Sequence, residues 1–109
     1  MVYFTPETRA AAKRAADWLK ANPDKHIGFR LAEAANGTSV PPTSVFADCF
    51  CAVGRLACEL NSSDYHGVYR AIGSTETDDL YSANDSGIRT GDRSKGLNAL
   101  YRVARGQLP

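Results

Sequence analysis

Phe46-Ala47-Asp48-Cys49-Phe50-Cys51-Ala52-Val53-Gly54-Arg55-Leu56-Ala57-Cys58-Glu59-Leu60 is the stretch on which the fold turns. Phe46, Cys49, Phe50, Val53, Leu56, Ala57 and Leu60 recur at helical spacing and form a wide apolar stripe. Cys51, Ala52 and Cys58 extend that stripe almost all round, and a helix apolar on every side has to be enclosed by neighbours. The stretch therefore predicts a buried central helix, capped by Thr43 or Ser44 and running to about Leu60. Gly54 inside it costs about 1 kcal/mol relative to alanine. A close approach by another backbone or a ligand is the expected compensation.

Towards the amino terminus, Pro41-Pro42 separates this helix from a segment of different period. Between His26 and Val40, Ile27, Phe29 and Leu31 alternate with Gly28 and Arg30, and Asn36-Gly37 is a strong hairpin signal. A small β-hairpin or extended arm is predicted there. Before it, Thr5 reads as an N-cap, Pro6 as the first helical residue and Glu7 as favoured by the helix dipole. That first helix is predicted to reach about Ala21, with Thr8, Ala11, Ala12, Ala15, Trp18 and Leu19 inward and Arg9, Lys13 and Lys20 in water. Asn22-Pro23-Asp24 stops it.

Towards the carboxyl terminus, Asn61-Ser62-Ser63-Asp64 is a turn leading to a short helix over Tyr65–Ile72 that ends at Gly73. Thr77-Asp78-Asp79 opens another short helix carrying Leu80, Tyr81 and Ala83. Asn84-Asp85-Ser86-Gly87 is then predicted to be a turn. Thr90 would cap the last helix, to about Arg105, with Leu97, Leu100, Tyr101 and Ala104 inward and Gly106 as its stop. The expected fold is mainly α, a domain over 1–109 with about four to five helices around the central apolar helix and a minor β-hairpin.

The chain has 109 residues, 43% of them hydrophobic and 23% charged, which predicts a packed core rather than disorder. A net charge of +1 exerts no global pull on nucleic acid or anionic membrane. The basic residues Arg9, Lys13, Arg14, Lys20 and Lys25, and Arg89, Arg93, Lys95, Arg102 and Arg105, are interleaved with Asp17, Asp24 and Asp92, so solvated helix faces are favoured over a nucleic-acid surface. Met1-Val2-Tyr3-Phe4-Thr5-Pro6 lacks the features of a secretory signal, and no apolar run approaches ~18 residues. The expected location is the cytoplasm, with no membrane partner.

Phe50-Cys51-Ala52-Val53-Gly54-Arg55-Leu56, then Leu80-Tyr81-Ser82-Ala83-Asn84-Asp85-Ser86-Gly87, then a closing amphipathic helix, resemble a group of small phage and actinobacterial proteins. That group has a Cys-x-x-Gly-x-Leu helix, an Asn-Asp turn and a C-terminal helix, and the likeness covers roughly residues 45 to 105. Cys51, Gly54, Leu56, Asn84 and Asp85 are the matching positions. Arg55 departs from the small or apolar residue usual there. The resemblance brings no activity with it; it implies a small accessory protein, phage-encoded and acting in host cytoplasm, with counter-defence as one such role.

Cys49, Cys51 and Cys58, with His26 or His66, are the only soft-metal set. In a helix, Cys-x-Cys sulfurs point about 200° apart, which one tetrahedral zinc cannot use. Cys51 and Cys58 lie two turns apart, roughly 10 Å, too far for a disulfide. Reduced, packed thiols are expected, with neither metal nor cofactor. A cysteine enzyme using Cys51 with His66 and Asp85 is the distant alternative, and no catalytic residue is assigned. The loop Asn84 to Gly91 has an ordinary reading as side chains bonding nearby amides ahead of a helix cap. Its functional reading is a ligand site at Arg55, Tyr81, Asn84, Asp85 and Arg89, with helix N-terminal amides and arginine holding a small polar, nucleotide-like molecule. The competing reading is a module that binds and inhibits a host protein. Tyr65, Tyr69, Tyr81 and Tyr101 could also support self-association.

Overall fold

Thr5 starts the first helix as predicted: its Oγ1 accepts the Thr8 N–H at 3.2 Å, and Pro6 fills the first helical position. The computed structural model describes residues 3–109, so Met1 and Val2 of the amino-terminal reading lie outside the described residues. Helix α1 spans Pro6–Ala21, and a short 3-10 turn over Pro23–Lys25 ends it. Strands β1 (Ala32–Ala34) and β2 (Ala47–Phe50) follow, then α2 (Ala52–Glu59), α3 (His66–Ile72), α4 (Ser74–Thr90) and α5 (Ser94–Ala104). The fold is mainly α with a small antiparallel sheet.

Helix α2 touches each of the other four helices and is the centre of the core. Leu19 of α1, Leu56 of α2, Leu80 of α4 and Leu100 of α5 are all fully buried. Each contributes about 1.5–3 kcal/mol by leaving water, so one leucine per long helix anchors the packing. Ala11, Ala12, Ala15 and Ala16 give α1 a small-residue face on which α5 and α2 rest.

The central helix is shorter than the sequence predicts. Residues 47–50 form a strand, Cys51 is the N-cap, and neither Thr43 nor Ser44 caps α2. Ser44 Oγ instead accepts the Phe46 N–H in a local turn, and Phe46 is 73% exposed rather than in the core. A short apolar run fits either period, and here backbone partners decide. Ala32, Glu33 and Ala34 pair with Phe50, Cys49 and Ala47, with a bulge between Glu33 and Ala34. The Ile27 N–H adds a bond to the Phe50 carbonyl and the Cys51 N–H one to the Leu31 carbonyl. The predicted Asn36-Gly37 turn is present, with Gly37 at φ 85° and a bridge between Glu33 and Ser39.

The second correction concerns Asn84-Asp85-Ser86-Gly87, which is no turn: α4 runs unbroken through it from Ser74 to Thr90. The break lies at Gly91, at φ 77°, whose N–H closes on the Gly87 and Ile88 carbonyls. Thr90 Oγ1 bonds back to the Ser86 carbonyl at 2.9 Å and caps nothing, and α5 begins only at Ser94. Turn propensity loses because Asn84 and Asp85 bond to distant groups instead of competing for their own backbone. Among the described residues no helix is long and apolar enough to cross a membrane.

Candidate functional site

Asn84, 1% exposed, is the buried hub on which the site is built. Its Oδ1 accepts the Ala52 N–H at the start of α2, at 3.0 Å, and lies 2.6 Å from His26 Nε2. Its Nδ2 donates to the Ile27 carbonyl at 3.0 Å and to Asp85 Oδ1 at 3.1 Å. Both lone pairs and both hydrogens of the amide are thereby used. One side chain ties α4 to α2 and to the 26–34 arm. Gly96 makes room for it: a Cβ there would stand 3.2 Å from the Asn84 Cα.

Asp85 carries the arm outward. Its Oδ1 also accepts the Phe29 N–H at 3.0 Å, holding Phe29 at φ 69° with the residue 61% exposed. Phe29 is therefore not the inward residue that alternation predicts. The Arg89 guanidinium stands 6.0 Å from the centre of that ring. Beside them opens a cleft of about 380 Å³ lined by Tyr81, Ser82, Asp85, Ser86 and Arg89. Burial, helped by the nearby Cys51 thiol and Asp85, pushes the Tyr81 pKa up, so its hydroxyl stays protonated and can donate.

Of the sequence-predicted ligand residues, Tyr81, Asp85 and Arg89 line this one cleft, and Asn84 braces the Asp85 carboxylate from below. Arg55 does not line it. Its guanidinium lies 4.3 Å from the Trp18 ring centre and 4.9 Å from that of Phe50, and pairs with Glu59 at 3.1 Å. Glu59 also receives Arg14 at 3.0 Å, so Arg55 belongs to a brace between α1 and α2. Nor do helix N-terminal amides face the cleft, since residues 84–90 form the last turns of α4. The negative end of the dipole favours Arg89 there and gives no help to an anion.

The thiols are free but unlike the helical Cys-x-Cys expected. Cys49 lies on β2, and Cys51 at the helix start, where its Sγ accepts the Gly54 N–H at 3.2 Å. Burial pushes the Cys51 pKa up to about 12 and raises those of Cys49 and Cys58. A protonated, enclosed thiol is a poor nucleophile. Among the described residues no group of His, Cys, Asp and Glu is placed to hold a metal ion. Sequence reasoning missed the His26–Asn84 bond, and local pattern holds no signal for a contact across 58 residues. Comparison with protein-family models, with curated proteins and with solved structures found no match.

Proposed function

We propose that the chain is a non-enzymatic binding protein that captures a small polar, nucleotide-like ligand in the cleft between Tyr81 and Arg89. The observation that carries this reading is Phe29: an exposed aromatic ring, pinned by Asp85 and overlooked by Arg89. An exposed ring accepts a planar base by stacking, and a guanidinium beside it suits a phosphate or carboxylate. The Tyr81, Ser82 and Ser86 hydroxyls and the Asp85 carboxylate offer partners to sugar hydroxyls. A volume of about 380 Å³ falls in the range of small-molecule sites. The resemblance of residues 45 to 105 to small phage proteins supports a phage-type accessory role, with counter-defence by sequestering a nucleotide signal as its concrete form.

Calorimetry against a panel of nucleotides and cyclic nucleotides tests this. The reading expects heat from at least one of them, and affinity at least about tenfold weaker in Arg89→Ala and in Phe29→Ala. No heat from any member of the panel, or unchanged affinity in both variants, rejects it. A second reading, a module that inhibits a host protein, is favoured by Val45 and Phe46, which are 92% and 73% exposed and adjacent. A host-lysate pull-down whose captured protein is lost in a Val45→Ser, Phe46→Ser double variant would favour that reading.

A further inference from the structure

A second cleft, of about 720 Å³ and sharing no residue with the first, opens between the start of α1, the turn after α2, and α3. Leu60 and Ala71 are the apolar side chains of its lining, and the rest is polar or glycine. Several of the polar groups are already engaged. The Thr5 and Thr8 hydroxyls bond each other at 3.1 Å, and Ser62 Oγ donates to the Asp64 carbonyl at 2.8 Å. Asp64, the only acid in the lining, accepts the His66 N–H at 2.9 Å and lies 3.3 Å from His66 Nδ1. Those two bonds, with Arg70 nearby, hold its carboxyl below the usual range.

What remains unengaged is donor-rich. Arg70, Asn61 and Ser63 are exposed, and among the described residues the Arg70 guanidinium, the Asn61 side-chain amide and the Ser63 hydroxyl make no hydrogen bond or ion pair, with His66 Nε2 likewise unused. We infer that this cleft binds a phosphomonoester carried on a small hydroxylated body, the chemistry of a sugar phosphate. A guanidinium sharing a lining with side-chain amide and hydroxyl donors matches the three terminal oxygens of such a group better than the two of a carboxylate. A cleft of about 720 Å³ also exceeds what phosphate alone would fill. The Thr5, Thr8 and Ser62 hydroxyls retain lone pairs for the hydroxyls of the body. No aromatic side chain other than the His66 imidazole lines the cleft, so its ligand class differs from the base-bearing one proposed above. A lone acid already bonded to His66 gives a metal cation nothing comparable.

Amide-resolved NMR titration of the full chain with ribose 5-phosphate, inorganic phosphate and ribose tests the inference. Ribose 5-phosphate is expected to give saturable shifts at Thr8, Ser63 and Gly67, with ribose and phosphate each at least about tenfold weaker. Arg70→Ala removes an exposed side chain, and Asn61→Gly keeps a backbone suited to φ 58°; each is expected to weaken ribose 5-phosphate about tenfold. Arg89→Ala, in the other cleft, leaves it unchanged, which separates failure of this site from failure of that one. Shifts that do not saturate, unaltered affinity in Arg70→Ala, or shifts confined to residues 81–89 would overturn the site. Phosphate binding as tightly as ribose 5-phosphate would overturn the hydroxylated body.

Discussion

His26 Nε2 and Asn84 Oδ1, 58 residues apart in the chain, meet at 2.6 Å in the interior. Because Oδ1 also accepts the Ala52 N–H, it is the acceptor, and His26 must donate from Nε2. The Nδ1 lone pair is then left buried and without a partner among the described residues. The ring is neutral in the folded state, and a proton at Nδ1 would find no acceptor there. The Arg93 guanidinium, whose Nε bonds the His26 carbonyl at 3.2 Å, opposes a second positive charge.

Stability is expected to fall with acid earlier than carboxylate titration alone would cause. Burial, reinforced by Arg93 and partly offset by the Asn84 bond, lowers the His26 pKa below its ordinary value of 6.5. The unfolded chain therefore takes up a proton first, so the unfolding free energy falls as pH drops through about 6.5, by up to ~1.4 kcal/mol per unit, until the folded-state pKa is reached. Above about pH 7 the effect is absent. The pKa values of Asp17, Asp64 and Asp92 are lowered as well and act in the same sense, but their contribution is lost only as pH falls below their ordinary 3.8. Urea denaturation between pH 5 and 8, roughly the range over which histidine titrates, should show a slope that His26→Gln removes. An equal slope in both proteins would reject the assignment.

Asn84→Ala should be among the most damaging single changes. It strands the His26 Nε2–H, the Ala52 N–H and the Ile27 carbonyl in the interior, at about 1–3 kcal/mol each, so a loss of about 3 kcal/mol or more is expected. Asn84→Asp keeps the shape but sets an oxygen against the Ile27 carbonyl and Asp85, and should also destabilise. Equilibrium unfolding monitored by circular dichroism measures both. A loss below about 1 kcal/mol in Asn84→Ala would show that water replaces the missing partners.

Gly54→Ala should be comparably severe. A Cβ at Gly54 would stand 1.7 Å from the Leu31 carbonyl oxygen, which is backbone and is itself held by the Cys51 N–H at 3.1 Å. Relief requires the arm to move off α2, so a loss of about 3 kcal/mol is expected, read as a fall in Tm or as insoluble expression. A Tm equal to that of the parent would mean the arm shifts freely.

Legibility followed how local each determinant is. Thr5-Pro6, Asn22-Pro23, Gly73 and Gly106 mark ends that the structure keeps, because caps and proline stops act within a few residues. Gly54 signals a close approach by a backbone or a ligand, and the Leu31 carbonyl makes it. The run from Ala47 to Phe50 has the sequence pattern of a helix because its strand identity comes from β1, fifteen or more residues earlier in most pairs. Asn84-Asp85-Ser86-Gly87 has the sequence of a turn because its residue types favour turns wherever their side chains stay local. Here they reach Ile27, Phe29 and Ala52 instead. Tyr81, Asp85 and Arg89 are legible as polar groups clustered in sequence around a predicted loop, and one helix brings them to the same cleft instead; Phe29, beside that cleft, comes from another element that no local pattern connects to it.

The thiols should react in the order of their exposure. Cys51 is fully buried with a pKa pushed up to about 12, so at pH 8 only about one thiol in ten thousand would be ionised even if reagent could enter. Mass-mapped alkylation of the native protein is expected to label Cys49 and Cys58 slowly and to leave Cys51 untouched until denaturant is added. Labelling of Cys51 while the circular dichroism spectrum is unchanged would instead revive a nucleophilic role for it.

Phe29→Gly separates a binding ring from a structural one. A non-glycine residue at φ 69° bears about 1 kcal/mol or more of steric cost, which glycine escapes while losing a comparable part of that gain to unfolded-state entropy. With the residue 61% exposed, little buried area is lost, so stability should stay level or rise by up to ~1 kcal/mol. Ligand affinity should nonetheless fall about as far as in Phe29→Ala, which keeps the strain and removes the ring. A ring held in water by a strained backbone adds little to stability, and the proposed ligand would give it a use. If Phe29→Gly instead destabilises by more than about 1 kcal/mol, the ring packs against its neighbours in the free protein, and the cleft loses the feature on which its assignment rests.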